Sequence, residues 1–105
     1  MSTYLRRASE AAASAETDQD LRLGRCRKGW RGSVSGLVAI EESGIPWNEL
    51  ERRLLEMGFV EGAAVEILHE GPIKHDPIAV RVDETTVAVR RADALAITVR
   101  APGVN

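Results

Sequence analysis

The chain has 105 residues, with 14 basic and 16 acidic side chains and a formal net charge of −2. That length predicts one domain, and 26 Leu, Ile, Val and Phe residues are too many for a wholly disordered chain of such small net charge. The near balance of charge argues against a protein devoted to nucleic acid phosphates, the lone Cys26 excludes an internal disulfide or a cysteine-rich zinc site, and neither a bilayer-length apolar run nor a signal-peptide pattern is present.

In chain order, residues 1–20 hold one Leu and no Ile, Val or Phe. They are expected to form an N-terminal tail, flexible or weakly helical through Ala11, Ala12 and Ala13. From Leu21 the spacing changes. Gly24, Gly29, Gly32 and Gly36 suit tight turns and a bent strand. They do not make a phosphate loop, because no Gly-Lys-Ser/Thr follows. Val34, Gly36, Val38 and Ile40 alternate at period two, which predicts a strand with a bend or bulge at Gly36. Pro46 then opens a helix. Leu50, Leu54 and Met57 recur at i, i+4 and i+7, and Gly58 sits where a left-handed cap is expected, so a helix is predicted over 46–57. After a turn at Glu61-Gly62 the alternation returns. Val65, Ile67 and His69 share one face. Ile78, Val80 and Val82 make a further strand, Asp83-Glu84-Thr85 a hairpin loop, and Val87 and Val89 the strand after it. Arg91 to Ala96 reads as a single helical turn, Ile97 and Val99 as a last strand, and residues 101–105 as a C-terminal tail. Short strands at this spacing predict an all-β fold with one inserted helix, closed into a small barrel over residues 21–100.

The run Leu50-Glu51-Arg52-Arg53-Leu54-Leu55-Glu56-Met57-Gly58-Phe59-Val60-Glu61-Gly62 resembles the central signature of the FeoA family. Gly71-Pro72 with Asp76-Pro77-Ile78 is similar to the family's next loop, and Val87-Ala88-Val89-Arg90-Arg91 to the strand and basic pair near its end. The glycine-rich Gly29–Ile40 segment is similar to its opening strand. The resemblance spans about residues 21–100. The tail is an addition, and the loop at Lys74-His75-Asp76 departs in detail, so no role is carried over onto His75. The resemblance implies an SH3-like β-barrel. It also implies a small cytoplasmic accessory of bacterial ferrous iron uptake, whose partner is a FeoB-type membrane transporter. The same domain is fused to metal-dependent repressors, but this chain has no room for their other domains, so a free-standing accessory is expected.

Iron makes metal binding the next question. His69, Glu70, His75 and Asp76 could be placed around a cation. The chain lacks His-x-x-x-His, Glu-x-x-His and a second cysteine, so no metal site is assigned and no cofactor is required. Weak or transient contact with Fe(II) or another transition metal stays open. Cys26 lies in Arg25-Cys26-Arg27-Lys28, where positive charge could lower a thiol pKa. The alternative is a bystander in an exposed basic stretch. Hydrolase signatures, paired catalytic carboxylates and nucleotide loops are absent, so no enzymatic activity is expected.

Protein binding is the positive expectation. Trp47, Leu55 and Phe59 fall off the Leu50/Leu54/Met57 stripe, and Arg52 and Arg53 flank them. Apolar anchors rimmed by arginine are the usual composition of an interface. The expected partner-binding set is Trp47, Arg52, Arg53, Leu55, Met57 and Phe59, with core the favoured place for Phe59. Any GTPase site would belong to the partner. Two alternatives remain at this point. The cluster Arg25, Arg27, Lys28 and Arg31 beside Trp30 could bind nucleic acid, with the indole stacked on a base. Open sheet edges could also pair two copies. Direct membrane insertion is not expected.

Overall fold

A computed structural model describes residues 21–103. The expected tail at 1–20 and the last two residues of the expected tail at 101–105 lie outside them. A 3-10 turn at Leu23–Arg25 comes first, followed by β1 (Arg31–Leu37), helix α1 (Trp47–Met57), β2 (Ala64–Ile73), β3 (Asp76–Val82), β4 (Thr85–Val89), a short helix α2 (Arg91–Ala94) and β5 (Ile97–Arg100). The strands form one sheet in the order β4-β3-β2-β1-β5, every neighbour antiparallel.

The expected SH3-like barrel is not formed. β4 and β5 are the two ends of the sheet and do not pair with each other. The outer edge of β5 is already occupied. Val99 N–H donates to the Leu21 carbonyl at 3.0 Å, and Arg22 bridges Thr98 in antiparallel register. With that edge taken, β4 has nothing to close against, and the chain crosses from β4 to β5 through α2, which packs on the 3-10 turn. The fold is an open five-stranded antiparallel sheet with inserted helices.

One face of the sheet carries the core. Val34, Val65, Ile67, Ile78, Val80, Val82, Val89 and Val99 are buried there, and Leu50 and Leu54 of α1 are buried with them. The stripe that predicted α1 is therefore its buried side, with Met57 half-buried against the core. Gly58 ends the helix at φ 105°, a left-handed conformation that a Cβ would strain. Its N–H donates to the Leu55 carbonyl at 3.0 Å and Phe59 N–H to the Leu54 carbonyl at 3.1 Å. This closure turns Phe59 inward, where it is the largest fully buried side chain.

β1 shows a register shift between Val34 and Gly36, where the sequence predicts a bend or bulge. β2 departs further from expectation. It runs on to Ile73, and the Lys74-His75 pair is a two-residue turn rather than part of a longer loop. Both turn residues have positive φ, 56° and 61°. Asn-Gly is the easy choice for such a turn, so the sequence pays strain to keep Lys and His here. Gly71 makes the hairpin close enough, since a Cβ there would stand 2.1 Å from the Asp76 carbonyl oxygen.

Candidate docking surface and a neighbouring ion-pair network

The bulges of β2 decide which side chains meet. Val65, Ile67 and His69 would share a face in a regular strand. The register instead shifts between Ile67 and His69, pairing His69 with Ala79 and Glu70 with Ile78. One extra residue exchanges the faces. His69 becomes exposed, and the Glu70 side chain is left 12 % exposed.

Glu70 is the acceptor of a compact network. Its Oε2 receives Arg27 Nε at 2.7 Å, Arg91 Nη2 at 2.7 Å and the Lys28 backbone N–H at 3.2 Å. Its Oε1 lies 3.4 Å from His75 Nδ1, while Arg27 Nη2 reaches His75 Nε2 at 3.2 Å. Arg91 ties the rest together. Its guanidinium donates to the carbonyls of Gly24, Cys26 and His75, and its backbone N–H donates to Asp76 Oδ1 at 2.9 Å. The tip of the β2–β3 hairpin, the 3-10 turn and α2 are thus held at one point. Sequence reading missed this network. It read Arg91 only as one of a basic pair at the start of a helical turn, and Glu70 only among loose ligand candidates.

The hydrogen bond from Arg27 holds the Glu70 carboxyl well below the usual carboxylate range, at about 2, helped by the Lys28 N–H and by the charges of Arg27 and His75, against an opposing effect of burial. A carboxyl with a lowered folded-state pKa stabilises the fold above its unfolded value and loses that contribution as pH falls toward the folded one. Stability is therefore expected to drop between about pH 4.5 and 2, with Glu70→Gln flattening that acid limb. Urea denaturation of both proteins across this range checks it. Parallel curves would show that Glu70 is not the group responsible.

The other candidate chemistry is placed as follows. Cys26 is buried, not exposed, and its Sγ lies 3.4 Å from the Arg22 carbonyl. Burial pushes the thiol up to about 11 despite the nearby Arg91 charge, which is opposite to activation. Among the described residues no three His, Cys, Asp or Glu side chains are grouped to hold a metal ion. Glu70 and His75 do meet, but with Arg27 hydrogen-bonded to both and Arg91 to Glu70. In the basic cluster, Arg27 is committed to Glu70, and Trp30 packs against the core and across Gly32.

Along α1 the arginines pair within the helix, Arg53 with Glu49 at 2.7 Å and Arg52 with Glu56 at 3.6 Å. Trp47 and Met57 are half-buried against the core, and Phe59 is inside it. Leu55 is 45 % exposed, and Val60, which sequence reading did not single out, is 46 % exposed just beyond Gly58. The exit of α1 thus presents two aliphatic side chains beside two paired arginines. No described helix is long and apolar enough to cross a membrane.

Comparison with known proteins agrees with the local sequence signature. The FeoA domain family model matches residues 21–101. A fusion of Fe(2+) transport protein A with the Fe(2+) transporter FeoB from Porphyromonas gingivalis is 34 % identical over 68 residues, which cover 65 % of this chain and 8 % of that protein. The chain thus aligns with only a small part of that relative. The solution structure of FeoA protein from Chlorobium tepidum aligns at a TM-score of 0.64 and 29 % identity, over 79 % of this chain and 71 % of that one. A FeoA-like protein from Clostridium acetobutylicum aligns at a TM-score of 0.65 and 25 % identity, over 81 % and 90 %. A family match over residues 21–101, most of the chain, makes this protein a member of the FeoA family.

Proposed function

We propose that the protein is a non-catalytic cytoplasmic adaptor that docks on a FeoB-type ferrous iron transporter and biases its assembly or its GTP-linked state. One observation carries this reading. In the Porphyromonas gingivalis relative the two proteins are a single fusion protein. A covalent link holds two modules at millimolar effective concentration, so fusion is the arrangement expected of parts that work in contact. The docking surface is the exit of α1, with Leu55 as the exposed anchor, Trp47 and Met57 as half-buried support, and Arg52 and Arg53 as the polar rim. Phe59 supports that surface from below.

Binding of the full chain to a purified FeoB-type transporter in detergent tests the reading. Leu55→Asp is expected to weaken binding by about tenfold or more, because it buries a charge where an apolar anchor should sit. Absence of binding by the unaltered chain would overturn the adaptor role. Unchanged binding by Leu55→Asp would move the docking surface elsewhere.

A further inference from the structure

The β2–β3 hairpin reaches beyond its neighbours. β1 pairs with β2 only as far as Glu66, and β4 pairs with β3 only from Ile78, yet β2 and β3 stay paired out to Ile73 and Asp76. Residues 70–76 are a two-stranded tongue. At its end Ile73 is 74 % exposed, the most exposed large hydrophobic side chain of the described residues. The tongue is not loose. Glu70 and Asp76 are fastened to Arg27, Lys28 and Arg91, and the strained Lys74-His75 turn is kept where an easier turn would serve. The tongue and the groups that fasten it carry Arg27, Lys28, Lys74 and Arg91 against Glu70 and Asp76, a local excess of two positive charges in a chain whose net charge is −2; Arg91 is engaged inside the network, and Arg27, Lys28 and Lys74 are exposed.

We propose that this tip is a contact for an anionic lipid surface, with Ile73 entering the headgroup layer and the exposed Arg27, Lys28 and Lys74 facing lipid phosphates. The shape favours a membrane over a protein partner. A stable protein interface takes about 800 Å² from each side, and a narrow tongue with one apolar side chain offers little of that. A bilayer surface takes up a projecting apolar residue and nearby positive charge in a weak, reversible contact. The contact is peripheral and no segment spans the bilayer. It does not depend on the transporter reading, because lipid alone should show it.

Co-sedimentation of the full chain with vesicles tests the proposal, using phosphatidylcholine alone and phosphatidylcholine with about 30 % phosphatidylglycerol. Binding is expected only to the anionic vesicles, weakening as salt rises. Lys74→Gln removes one cation and should reduce partitioning about fivefold, and Ile73→Ser about tenfold or more. Both residues are exposed, so the fold should survive either change. Leu55→Asp should bind the vesicles as the unaltered chain does. No binding to anionic vesicles, equal binding to neutral ones, or unchanged partitioning in both tip variants would each overturn the proposal. Loss of transporter binding in detergent by the tip variants, without vesicle binding, would overturn it too and assign the tip to a protein.

Discussion

Phe59→Ala is expected to cost about 3–5 kcal/mol of stability. Phe59 is 0 % exposed and is the largest of the fully buried side chains. Its place follows from the capping of α1, since its N–H closes on Leu54 and the side chain fills the space between the helix and the strands. A domain of this size is stable by only about 4–12 kcal/mol, so the variant should lose much of its cooperative unfolding. The melting temperature should fall by about 15 °C or more. Phe59→Leu keeps most of the volume and should cost less than about 1.5 kcal/mol. Urea unfolding of the three proteins checks both figures. A small effect of the alanine variant would mean that the site collapses around the cavity, and that Phe59 is not the keystone of this core.

Arg91→Ala is expected to cost about 3 kcal/mol. The side chain is 17 % exposed and its donors meet the carbonyls of Gly24, Cys26 and His75 as well as Glu70. Its removal strands several acceptors at once. Arg91→Lys should recover little, because a single ammonium cannot reproduce the planar fork that reaches three carbonyls and a carboxylate. Melting temperatures give the cost. Hydrogen exchange gives the location, with Cys26 N–H expected to lose protection while β3 keeps its own. A loss spread evenly over the sheet would contradict a local clamp.

The elements whose identity depends on local pattern were legible. The Leu50/Leu54/Met57 spacing and Gly58 place a helix at 46–57, and α1 is found at Trp47–Met57 with Gly58 as its cap. Alternating valines place β3, β4 and β5. What was not legible depends on register and on distant pairing. A bulge is one residue of slip, and the slip in β2 leaves no mark on hydrophobic periodicity, yet it turns His69 out and Glu70 toward Arg91. Closure is likewise not a local property. The same alternating strands suit a closed or an open sheet, and the contact that decides it is between Leu21–Arg22 and β5, far apart in sequence. Of the surface at the α1 exit, helical spacing gives the outward direction of Leu55. It says nothing of Val60, which follows the cap rather than the helix.

The bond between Leu21 and Val99 has an architectural corollary. Leu21, the first described residue, stands beside the last strand, about one strand spacing away. A unit with adjoining ends can be spliced into a larger polypeptide, at a terminus or within a loop, without stretching either junction. For a module whose relatives include a fusion with a transporter, that adjacency makes genetic joining mechanically undemanding.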